Sequence, residues 1–121
     1  MKTSISLILL ALLAAPAHAE ERVLITCLDS ESGESATLVF NPETKTTTLQ
    51  MLTCTFNNEV QRSFCGNAEY PVWAKDSVHY VGEKASWESS ANGGVAVQIR
   101  LGSNWWNQFK YSFTAEECRA P

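Results

Sequence analysis

Asn92-Gly93-Gly94-Val95-Ala96-Val97-Gln98-Ile99-Arg100-Leu101 reads as a turn followed by a strand. Val95, Val97, Ile99 and Leu101 fall on one face, and Ala96, Gln98 and Arg100 on the other. Period-two alternation is the mark of a strand with one buried side. Asn-Gly-Gly before it is a hairpin signal, because such residues accept the positive φ of a tight turn. Gly102-Ser103-Asn104 turns the chain again, and Trp105 to Phe113 forms the next expected strand. Trp105, Phe109, Tyr111 and Phe113 share its apolar face, opposite Trp106, Gln108, Lys110 and Ser112.

The pattern extends upstream. Val78 and Tyr80 alternate with His79 and Val81, Gly82-Glu83 begins a turn, and Ala85 and Trp87 lead another strand. Near the start, Val23, Ile25 and Cys27 share one face. The polar run Asp29 to Ser35 ends that strand, and Ala36, Leu38 and Phe40 begin the next. Asn41-Pro42-Glu43-Thr44 is a tight turn in which proline presets φ. Thr46 to Thr55 follows, with Leu49 and Met51 on one face. Phe56 to Asp76 holds Asn57-Asn58, Cys65-Gly66-Asn67 and Tyr70-Pro71 and keeps no period. It reads as a long loop, with room for one helical turn. Loops of that length are often functional, and a stapled connection between two halves of the sheet is the plainer alternative.

These segments predict an all-β fold of about seven or eight short strands, an antiparallel meander closed into a barrel or folded into a sandwich. No stretch has the period of an ordinary amphipathic helix, and no internal repeat or domain linker is visible.

The N-terminus carries the pattern of a secretory signal peptide. Lys2 supplies a positive start, Ile5 to Ala15 is nearly all apolar, Pro16 breaks the run, and Ala17-His18-Ala19 offers small residues for cleavage. The apolar run is shorter than the roughly 20 residues a membrane span requires. The first cysteine is Cys27, away from the cleavage point, so a lipid anchor is not expected. The expected organisation is a signal peptide at 1–19 and a single domain at 20–121, periplasmic or secreted, without a stable membrane anchor. Loss of Lys2 takes the net charge from −4 to −5. Such a domain repels phosphate backbones and attracts cationic proteins, so a nucleic-acid partner is not expected and another protein is.

Cys27, Cys54, Cys65 and Cys118 all lie beyond the leader. An even number in an oxidising compartment implies two disulfides. Three pairings are possible. Cys54 with Cys65 and Cys27 with Cys118 is preferred, because the first closes a short irregular segment and the second joins the two ends of a curling sheet. Chain entropy assigns on the order of 4 to 5 kcal/mol to the long bridge and under about 3 to the short one. Neither a metal nor another cofactor is expected: there is no Cys-x-x-Cys, and His79 is the single histidine past the leader.

Catalytic signals are sparse. His79 lies opposite Val78 and Tyr80, on the solvent side. There is no Gly-x-Ser-x-Gly elbow, P-loop or dinucleotide fingerprint. Glu83 with Glu88, or Glu116 with Glu117, would serve a carboxylate hydrolase only if a cleft paired them. The aromatic residues point to binding. Trp73 falls in the 56–76 segment, and Trp106 takes the polar face of the last strand, across a hairpin from Gln98 and Arg100. Tryptophan is enriched at binding hot spots. In the alternative, Trp105 and Trp106 straddle a bulge and both rings pack inward.

In general plan the chain resembles small exported four-cysteine barrels, of which the periplasmic inhibitors of C-type lysozyme are the named example. The resemblance lies in size, export, acidity and strand pattern. That family's signature opens Ser-Gly and sets a tyrosine three residues after the glycine. Here Ser32-Gly33 is followed by Glu34, Ser35 and Ala36, and Tyr80 to Lys84 matches the second signature only in outline. The resemblance implies inhibition by steric occlusion as a class of function and carries over no inhibitory residue. The expected function is therefore an exported binding protein, an inhibitor or immunity-type partner, and not an enzyme. A small carboxylate hydrolase and a structural envelope domain are the alternatives.

Overall fold

A computed structural model describes residues 21–103, 105 and 108–121. The signal peptide expected at 1–19 and Trp106 lie outside the described residues. Among the described residues nine strands run in chain order: β1 Arg22–Leu28, β2 Ser35–Asn41, β3 Thr46–Asn57, β4 Arg62–Ala74, β5 His79–Val81, β6 Ala85–Ser89, β7 Val95–Arg100, β8 Gln108–Phe113 and β9 Cys118–Arg119. One 3-10 turn, Ala115–Glu117, precedes β9. All described pairings are antiparallel, and each strand from β1 to β8 pairs with its neighbour in sequence. The expected meander is thus present as a single sheet wound into a nearly closed barrel.

Closure comes from the last two-residue strand. β9 pairs with β1 through Thr26 with Arg119 and Cys27 with Cys118. The Cys27–Cys118 disulfide joins that register, and Cys54–Cys65 bridges β3 and β4. Both bridges are the preferred pairings, and no cysteine is free.

The barrel interior follows the alternation. Leu38, Leu49, Met51 and Val72 from β2 to β4 meet Trp87, Val95, Val97, Ile99 and Phe113 from β6 to β8 in one buried cluster. Trp87 is the largest fully buried side chain among the described residues, and its indole N–H donates to Ser89 Oγ at 3.2 Å. That bond satisfies the polar end of a buried ring, which would otherwise cost about 1–3 kcal/mol.

Four loops are opened by the same device. The Oδ1 of Asp29, Asn41, Asn57 and Asp76 accepts the backbone N–H groups two and three residues on. Such Asx turns reverse the chain without glycine at the first corner. The β2–β3 and β3–β4 hairpins match further: each has four loop residues and ends with a residue at positive φ, Lys45 at 60° and Gln61 at 54°.

The segment 56–76 is therefore corrected from a loop to most of a hairpin. β3 and β4 pair continuously from Thr47–Val72 to Asn57–Arg62. The neighbouring strands stop short: β2 reaches β3 only as far as Leu52, and β5 reaches β4 only at Trp73 and Ala74. From Thr53 to Gly66 the hairpin is a two-stranded ribbon beyond the body of the sheet. A ribbon with no core beneath it needs no hydrophobic period, which is why alternation fails there.

Smaller departures have similar causes. The β1 register shifts between Val23 and Ile25, so Val23 is exposed while Cys27 faces the core. Leu101, expected inward, lies past the end of β7 and is exposed. The last long strand begins at Gln108 instead of Trp105, and β5 begins at His79.

The two bridges differ in what they hold. Replacing Cys27 and Cys118 with serine should lower global stability by about 2–5 kcal/mol, read as a fall in the urea midpoint. Replacing Cys54 and Cys65 should chiefly accelerate amide exchange over 53–66 and leave Trp87 and its neighbours protected.

Candidate functional site

Alternation along β4 to β8 fixes which side chains meet on the outer face. Trp73 pairs with Val81, Val81 with Ser86, Ser86 with Gln98 and Gln98 with Lys110. Cross-strand partners share a face, so Trp73 and Gln98 stand in one outward row. Arg100, two residues beyond Gln98, continues that face and pairs across the strands with Gln108. Reading 56–76 as a loop had separated Trp73 from Gln98 and Arg100; the sheet brings the three onto one surface. Trp106, the fourth residue of the expected patch, is outside the described residues.

The β5–β6 turn lies between them. Gly82 N–H donates to Ala85 O at 2.8 Å, and Arg100 N–H donates to Lys84 O at 2.8 Å. A Cβ at Gly82 would run into the Pro71 carbonyl oxygen, so only glycine lets the turn sit this close to β4. Arg100, mostly buried, reaches toward Glu83, with Nη2 to Oε1 at 3.8 Å. Beside this turn is an open cleft of about 560 Å³ lined by Glu69, Tyr70, Pro71, Trp73, Glu83 and Lys84. Trp73 is 58% exposed there, more than any other large apolar side chain described.

The ribbon offers a second apolar surface. Phe56, Val60 and Phe64 are each about half exposed, at 52%, 52% and 51%. Phe56 continues the face of the Cys54–Cys65 bridge, and Phe64 takes the other face, with the Arg62 guanidinium 5.4 Å from its ring centre. At the base, Cys54 N–H donates to Glu34 Oε2 at 3.2 Å. Phe56, Val60, Arg62 and Phe64 carry no period or motif that marks them in the sequence. One signal is present: Asn57-Asn58-Glu59-Val60-Gln61 follows the outline of the turn Asn41-Pro42-Glu43-Thr44-Lys45.

His79 is half-buried and flanked by acids. Its Nδ1 is 2.9 Å from Asp76 Oδ1, and its Nε2 is 3.5 Å from Glu88 Oε2. Glu83 and Glu88 thus engage different side chains, Arg100 and His79, and do not face one another across a cleft. Glu117 is also engaged, its Oε1 accepting the Thr114 N–H at 2.8 Å. Asp76 is held below the ordinary aspartate pKa, first by the Val78 N–H and then by the His79 side chain. Burial raises the Tyr111 hydroxyl, with further contributions from Glu34 and Tyr70.

Comparison with protein-family models, with curated proteins and with solved structures finds no match for this chain.

Two outcomes are expected. Gly82→Ala should cost about 1–3 kcal/mol, because the new methyl must displace backbone, and should shift the Trp73 indole resonance as the turn moves. The Asp76 carboxyl should titrate below the usual value of about 3.9. Its lowered value makes the stabilisation complete above the unfolded-state pKa and lost as pH falls through the folded one. A carbon-detected NMR titration reporting a midpoint at or above the ordinary value would contradict this.

Proposed function

We propose that the chain is an exported protein-binding module, an inhibitor or immunity-type partner that acts by occluding another protein's surface. The observation that carries this reading is the ribbon. It projects beyond the sheet, carries three large apolar side chains in water, and is cross-linked at its base. Exposed apolar groups held in a fixed geometry favour association, because the entropic cost of ordering them is met before binding. Both disulfides suit an oxidising compartment. Together with the signal-peptide pattern at 1–19, they support a periplasmic or secreted location. The resemblance in general plan to exported lysozyme inhibitors agrees with this class of function. The acidity of the domain favours a cationic partner and disfavours nucleic acid.

The test is affinity capture from the periplasmic or secreted fraction, comparing the native chain with a Phe56→Ser, Phe64→Ser variant. A partner retained by the native chain and lost by the variant, with the barrel's thermal midpoint little changed, is the expected result. A partner held equally by both removes the ribbon from the interface, and no specific partner would leave an envelope-structural role as the better reading. Inhibition of a C-type lysozyme, measured by lysis of a cell-wall suspension, checks the specific resemblance.

A further inference from the structure

We infer that the cleft beside Trp73 seats a cationic side chain, lysine or arginine, from an extended partner segment that adds as a strand to the open edge of β4. This deepens the proposed function and rests on it only in taking a protein as the partner.

The backbone supplies the first argument. Lys75 N–H donates to His79 O at 2.9 Å, and Trp73 pairs with Val81. Odd-numbered residues of β4 therefore turn their backbone groups toward β5. Alternation carries this on through Pro71, Glu69, Asn67 and Cys65, past the point where β5 pairing stops. Pro71 agrees with the assignment: a proline is tolerated where the missing N–H would face away from the ladder. Among the described residues no strand pairs with this edge from Arg62 to Tyr70; at Pro71 the Gly82 turn already packs against the carbonyl. An open edge with an unpaired N–H and C=O row is the substrate for strand addition.

The side chains supply the second. The odd positions of β4 also put Glu69, Pro71 and Trp73 on one face. A residue of an added strand opposite Glu69, facing the same way, enters the cleft. There it meets an exposed indole and the carboxylates of Glu69 and Glu83. An indole face attracts a cation, Arg more often than Lys, and the two acids complement its charge. Lys84, the one cation lining the cleft, is set against two acids. Glu83 lies 3.8 Å from Arg100 and Glu69 accepts the Gln50 amide at 3.4 Å, and both line the cleft.

The test uses the whole domain and three end-blocked peptides: Thr-Val-Thr-Arg-Thr-Val-Thr, its Arg-to-Gln counterpart, and the Arg peptide N-methylated on alternate residues. NMR follows the amides of Asn67 and Glu69 and the indole N–H of Trp73. The Arg peptide should shift all three. The Gln peptide should bind at least about tenfold more weakly, N-methylation on the pairing side should abolish binding, and Glu69→Gln with Glu83→Gln should remove the preference for Arg. Both acids are exposed, so that variant is expected to fold. Equal binding of the Arg and Gln peptides, shifts confined to Phe56 and Val60, or no binding overturns the inference. A partner that depends on Phe56 and Phe64 but ignores Trp73→Ala and the double Gln variant would sustain the proposed function while refuting this site. Capture retained by all variants alike would count against both.

Discussion

The Cys27–Cys118 bridge is the constraint on which the molecule depends. A sheet of short strands winding back on itself must bring its first and last residues together, and closing so long a loop costs entropy that a small core can barely offset. Here the meeting point is only two residues of β9 against β1. Two residues of ladder are weak by themselves. The covalent link makes that contact permanent, and the barrel interior, with Trp87 at its centre, is then enclosed from both halves of the chain.

That closure divides the molecule into a body and a projection. The body has an inside, so its strands carry an apolar face. The β3–β4 ribbon has none beyond Leu52, so neither of its faces is constrained by packing. Its order comes from the paired backbone, the Asn57 turn and the second disulfide. Phe56, Val60 and Phe64 contribute little to folding, and their exposure costs the fold little.

Legibility in the sequence followed the same division. Where a strand faces the core, period two revealed it: Val95, Val97 and Ile99 are inward, and Ala36, Leu38, Leu49 and Met51 line the opposite wall. The disulfide partners were legible only as a preference among three pairings that spacing does not decide, with a curling sheet favouring Cys27 with Cys118. The ribbon was hidden because hydrophobic alternation reports burial and not pairing. The Trp73 surface was hidden for a second reason: its members come from β4, β7 and the β5–β6 turn, and only register places them together. Gly82 reads in sequence as one more turn residue; its contact with Pro71 appears only when the strands are laid side by side.

The matched four-residue loops of the β2–β3 and β3–β4 hairpins have a consequence for divergence. Each reverses the chain with an Asx corner and a terminal left-handed residue, and asks nothing of the side chains between. At the ribbon tip those intervening positions also bury nothing in the barrel. Asn58, Glu59 and Val60 can therefore be exchanged in bulk while the scaffold keeps its shape, as in a tool with an interchangeable bit. Selection can vary the tip without disturbing the interior.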